Sequence, residues 1–170
     1  MTYNRINLNA DLGESFGAWK MGDDPALLRI VKSANVACGF HAGDPTVMQE
    51  TVRLAIAHGV SIGAHPSYPD LQGFGRRVMQ MSARDLESTL LYQIGALQAI
   101  AMAEGASVTH VKPHGALHNV ACADQNVATS IVKALRKLDP SMILLAPAHS
   151  ILAKVAEDAG QAIRYEVFAD

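Results

Sequence analysis

Val60-Ser61-Ile62-Gly63-Ala64 is a short, mostly apolar run, and His65-Pro66-Ser67-Tyr68-Pro69-Asp70 follows it without a gap. It reads as a buried strand whose C-terminal end passes directly into polar and turn-forming residues. Upstream, Asp44-Pro45 offers an N-cap and a proline at the first helical position, opening a helix that Gly59 stops. Downstream, Ser82-Ala83-Arg84-Asp85 has the form of a capping box, with Asp in place of Glu or Gln. From there Leu86, Leu90, Ile94, Leu97 and Ala101 recur at three- and four-residue steps and draw one apolar stripe, ending near Gly105.

The same strand-then-helix rhythm continues outward. Residues 6–10, 34–38, 108–112, 142–146 and 163–167 read as five further strands. Asp24-Pro25 opens a short helix, Val127, Ile131, Leu135 and Leu138 stripe another before Pro140, and residues 149–160 span one more. Such alternation predicts an α/β fold with a parallel sheet and right-handed crossovers. No GxGxxG or GxxxxGK[ST] follows any strand, so an open nucleotide-binding sheet lacks its usual support. Polar residues instead follow the ends of many strands, the arrangement of a (β/α) TIM-like barrel whose strand ends share one mouth.

Composition bounds the rest. The 170 residues suit one domain over 1–170, and no low-complexity stretch or linker divides them. With 49% hydrophobic residues the chain is not disordered, and a net charge of −2 advertises neither nucleic acid nor an anionic membrane. No apolar run approaches the roughly 18 residues of a membrane span. Met1-Thr2-Tyr3-Asn4-Arg5 lacks the build of a signal peptide, and the two cysteines, Cys38 and Cys122, make no disulfide framework. The expected setting is a reducing cytoplasm.

Candidate site residues lie after the strands. Asp11 and Glu14 follow the first, with Ala10 taken as its last regular residue; His41 follows the second, His65 the third, and Lys112 and His114 the fourth. Each has a plain structural reading alone, but random histidines would not gather at one end of the strands. Jointly they predict a shared site, with carboxylate and imidazole to activate water and ammonium to hold an oxyanion. Asp11, His65 and His114 also have the chemistry of a divalent-metal site, though spacing alone does not demand one. Arg76 and Arg77, behind Gly73-Phe74-Gly75, suit a carboxylate or phosphate, and Asn9 is a further candidate substrate contact. Trp19 stands on an expected surface loop as a lid or partner contact. Asp44 reads as a helix cap, His58 as a helix-end residue, His110 as a strand histidine and Cys38 as a small buried side chain.

Together, residues 7–17, 37–45, 63–70, 73–77 and 111–117 resemble the LamB/YcsF family along the whole chain. The resemblance implies a (β/α) barrel related to those of glycoside hydrolases and polysaccharide deacetylases. It also implies ATP-dependent opening of the 5-oxo-L-proline lactam to L-glutamate, as the A component of a 5-oxoprolinase that works with subunits B and C. On that reading Asp11 or Glu14 activates water, and His41, His65 and His114 handle protons or a metal. Lys112 stabilises the oxyanion, and Arg76 or Arg77 holds the substrate carboxylate. ATP is then a co-substrate bound mainly by partners or at a non-standard site. Family chains continue past Tyr165-Glu166-Val167-Phe168-Ala169-Asp170, so about six strands are expected to leave the barrel unclosed, with edges that invite association, copies of itself included. Asp170 is a further strand-end candidate. Two other functions compete: a metal-dependent deacetylase or amidohydrolase on an N-acyl compound, and a non-catalytic lactam-binding scaffold.

Overall fold

The computed structural model describes residues 6–168. Six strands alternate with helices: β1 (Asn9–Leu12), α1 (Asp24–Leu27), β2 (Ser33–Ala37), α2 (Pro45–Ala57), β3 (Ser61–His65) and α3 (Ala83–Ala103). They continue with β4 (Val108–Val111), α4 (Gly115–Ala121), α5 (Gln125–Leu138), β5 (Ile143–Pro147), α6 (Ile151–Asp158) and β6 (Ile163–Glu166). The strands pair in sequence order, every pair parallel.

The sheet curls into an incomplete barrel. Glu166 on β6 accepts a hydrogen bond from Asn9 Nδ2 on β1 at 3.1 Å, so the first and last strands meet across the interior through side chains. Among the described residues each of these two strands has only one hydrogen-bonded neighbour. Among the described residues no helix is long and apolar enough to cross a membrane.

Strand alternation sorts the residues. Leu12, Val36, Ile62, Ala64, Val111 and Leu144 are fully or nearly fully buried in the main apolar cluster with Val52, Leu90, Ile94, Leu97, Ile131 and Leu135 of the helices. The other face of the strands is polar. Asp11, Asn35, Gly63 and His110 are register partners across β1 to β4 and form one transverse row. Gly63 is required there: a Cβ would lie 2.1 Å from His110 Nε2.

The helix signals act where expected. Asp44 caps α2 by accepting from Thr46 and Val47 N–H, and its second oxygen accepts from Gly17 N–H at 2.7 Å. Ser82 caps α3, but its hydroxyl donates to Asp85 instead of the carboxylate reaching back to the backbone. Two expectations need correction. The first strand begins at Asn9 and ends at Leu12, where Gly13 turns the chain at φ +69°, so Asp11 is an interior strand residue and only Glu14 lies on the loop. And α4 forms directly after His114, where the sequence reading places no helix.

Candidate active site

The C-terminal ends of β1, β2, β3 and β4 bring Asp11, Glu14, His41, His65, Lys112 and His114 together. Asp11 Oδ1 accepts from Lys112 Nζ at 3.2 Å and Asn35 Nδ2 at 2.9 Å, while Asp11 Oδ2 lies 3.3 Å from His65 Nε2. Burial alone would raise the Asp11 carboxyl, but His65, Lys112 and Asn35 together hold it far below the usual carboxylate range. Its side chain keeps 35% exposure, the most open of this group.

Lys112 is the charge hub of the interior. Its ammonium donates to Glu166 at 2.9 Å as well as to Asp11, with Asn9 Oδ1 at 3.4 Å and the Phe168 ring centroid 5.5 Å away. Burial opposes the charge, but Asp11 and Glu166 more than restore it and raise the Lys112 pKa. As placed, Lys112 pairs with Asp11 and Glu166. Asn9 is likewise spent inside the barrel, accepting from Asn35 at 2.6 Å and donating to Glu166.

Glu14 turns toward the histidines. Its Oε1 lies 2.9 Å from His41 Nε2, 3.4 Å from His114 Nδ1 and 4.0 Å from His65 Nε2. Burial raises the Glu14 carboxyl pKa. His41 and His114 are pushed down to about 3, burial first and neighbouring imidazoles second, so both rings are neutral. One ligand atom each from Glu14, His41, His65 and His114 lies within 4.8 Å of all the others.

A loop closes over this group. Phe74 adopts a left-handed backbone (φ +54°), sets its ring edge-on to His41 and His114, and accepts from His114 Nε2 at 2.8 Å. Such strained positions gather at functional sites. Beside it, a cleft of about 160 Å³ runs between Glu14, Phe16, Trp19, Met21, His41, Leu71 and Phe74. Trp19 is exposed and bridges to Phe16.

The two arginines part company. Arg77 donates through Nε to Asp70 at 2.8 Å, and Asp70 also takes the Gly73 and Arg77 N–H groups. Its guanidinium therefore holds the loop together through Asp70. Arg76 is exposed and stands 5.9 Å from the Phe74 ring centroid at the edge of the cleft. His110 is packed inside, His58 caps α2 at its C-terminus, and burial pushes the Cys38 thiol up to about 12, all in their structural readings. Asp170 lies outside the described residues. Asn35 and Glu166 escape the sequence reading; polar residues at every second strand position, Ser33 and Asn35 on β2, are the signal that could have found the first of them.

Residues 6–170 match the model of the LamB/YcsF family. A protein from Azoarcus sp. (strain BH72), named as the A subunit of 5-oxoprolinase, is 63% identical over 166 residues, covering 98% of this chain and 65% of that protein. One of the same name from Rhodopseudomonas palustris (strain BisB5) is 55% identical over 167 residues, covering 98% of this chain and 66% of that one. The chain thus spans just under two thirds of the length of these curated relatives. The crystal structure of a lactam utilization protein from Thermus thermophilus superposes with a TM-score of 0.95 at 48% identity, over 96% of this chain and 66% of that one. A putative cellobiose-phosphate cleavage protein from Enterococcus faecalis V583, 20% identical with a TM-score of 0.56 over 94% of this chain and 66% of that one, shares the fold.

Proposed function

Because the chain belongs to the LamB/YcsF family, we propose that it contributes the lactam-handling site of an ATP-dependent 5-oxoprolinase, acting with further subunits. The observation that carries this reading is the Asp11 carboxylate, held ionised by Lys112 at 3.2 Å yet left 35% exposed, with its neighbour Glu14 lining a small, partly apolar cleft. The names of the relatives supply the substrate class and the expectation of partner subunits.

The chemistry explains the nucleotide. A five-membered lactam is a poor electrophile; transfer of the γ-phosphoryl group of ATP to its carbonyl oxygen, with release of ADP, activates the carbon. Water then adds, the ring C–N bond breaks with protonation of the nitrogen, and the resulting acyl phosphate is hydrolysed to L-glutamate and phosphate. Two waters and one ATP are consumed per lactam opened. Asp11, ionised throughout the neutral range, accepts a hydrogen bond from the attacking water and orients it. Arg76 pairs with the substrate carboxylate, the Phe74 ring and the Phe16–Trp19 pair flank the apolar ring edge, and Glu14 fixes the three imidazoles. Arg76 is a single cation at the cleft edge, too little charge for a triphosphate, which supports placing the nucleotide mainly on a partner.

Mixing the chain with candidate partner subunits, ATP and 5-oxo-L-proline tests this: glutamate and ADP accumulate together, one for one. Absence of glutamate in every mixture would refute the proposal. The histidine–carboxylate cluster favours one second reading, metal-assisted hydrolysis of an N-acyl amide, and acyl release without ATP would select it.

A further inference from the structure

We infer that Glu14, His41, His65 and His114 form a binding site for one divalent transition-metal ion, with Zn²⁺ the best match, through Glu14 Oε1, His41 Nε2, His65 Nε2 and His114 Nδ1. The argument begins with where the ring protons are. His65 Nδ1 lies 2.6 Å from the Lys112 carbonyl, and His114 Nε2 lies 2.8 Å from the Phe74 carbonyl. A carbonyl only accepts, so in each ring the outward nitrogen carries a proton. The inward nitrogens are the ones left to offer lone pairs to a metal ion.

Those lone pairs face each other. His65 Nε2 and His114 Nδ1 are 3.0 Å apart, Glu14 Oε1 is 3.4 Å from the latter, and Asp11 Oδ2 is 3.3 Å from the former. Two imidazole acceptors and two carboxylate oxygens crowded together repel unless a positive charge lies among them. Carbonyl support on the far side of the His65 and His114 rings is the arrangement that fixes a metal-ligating histidine.

Spacing and chemistry favour a metal ion over a proton. Tetrahedral zinc with bonds of about 2.0–2.1 Å separates its ligand atoms by about 3.3 Å. The distances among the four atoms include 2.9, 3.0, 3.4 and 4.0 Å, on either side of that value. Three imidazoles and one carboxylate suit Zn²⁺, whereas Mg²⁺ and Ca²⁺ prefer oxygen alone. The set differs from the Asp11, His65, His114 trio suggested by residue type, because Lys112 and Asn35 already occupy Asp11 Oδ1. The inference does not depend on the lactam reading; the ion would stand as a Lewis acid beside the open Asp11 carboxylate whatever the substrate.

The test is an equilibrium titration of the chain, stripped with a chelator, with Zn²⁺ against a chromophoric competitor and with Co²⁺ followed by visible absorption. The expected result is one equivalent bound with Kd of about 1 μM or tighter and a tetrahedral Co²⁺ spectrum. His65→Ala and His114→Ala should each weaken binding by about 10- to 100-fold. His110→Asn, in a buried histidine outside the cluster, should bind as the wild type does. Should either alanine variant fail to fold, the Co²⁺-loaded wild type still reports, through paramagnetically shifted imidazole N–H signals from the ligating rings. No stoichiometric uptake by the wild type overturns the inference; uptake that survives His65→Ala and His114→Ala combined overturns it equally.

Discussion

His41 and His114 stack face to face, their ring centroids 3.7 Å apart and their planes 7° from parallel. Neutrality permits this, since two imidazolium rings at that distance would repel. Burial supplies the neutrality, and Gly75 supplies the room: at φ +65°, a Cβ there would lie 2.7 Å from His114 Cδ2 and 3.0 Å from His41 Cβ. Gly75→Ala should therefore destabilise the chain by about 1–3 kcal/mol in urea unfolding and lower turnover as well, because the stack must shift.

Lys112 and Glu166 are a buried pair, with side chains 9% and 5% exposed. Lys112→Met should cost about 3–5 kcal/mol, since it removes the ammonium partner of the buried Glu166 and one partner of Asp11. Adding Glu166→Gln should recover part of that loss, and a double-mutant cycle by chemical denaturation measures the recovery.

Arg76 and Arg77 are adjacent but do different work. Arg76→Ala should raise KM for 5-oxo-L-proline about tenfold or more while leaving kcat and thermal stability nearly unchanged. Arg77→Ala frees the buried Asp70 carboxylate and loosens the loop that carries Phe74, so it should lower the melting temperature and reduce kcat. Steady-state kinetics beside a thermal melt separates the two patterns.

His110 gives stability a defined pH dependence. Burial first, then the neighbouring His65 and Lys112, push its pKa from 6.5 down to about 4. Between those values the unfolded chain takes up the proton that the folded chain refuses. The contribution is thus complete above pH 6.5 and is lost as pH falls toward 4, by roughly 3 kcal/mol at the limit. Urea midpoints measured across that range should fall more steeply for the wild type than for His110→Asn.

The barrel is legible in the sequence because its punctuation is local. Asp44-Pro45, Ser82 and Gly105 bound helices whatever surrounds them, and short apolar runs between such helices leave few topologies. The rim residues are legible for the same reason, each standing at or just past a strand end. What depends on distant partners is not. The division between Arg76 and Arg77 rests on where Asp70 lies, and the saturation of Lys112 rests on Glu166, more than fifty residues on. The start of β1 is misread because Leu8, apolar by type, lies exposed before the ladder begins, while Asp11 is drawn inside by Lys112 and Asn35. The left-handed Phe74 carries no sequence signal; its contacts with His41 and His114 appear only in the folded chain.

The measurement closest to the central claim is ATP-dependent glutamate release by the Asp11→Asn chain in the presence of partner subunits. If Asp11 orients the attacking water, kcat should fall by about 10²–10⁴-fold with KM for 5-oxo-L-proline little changed. Turnover equal to that of the wild type would contradict the assignment of chemistry to this rim.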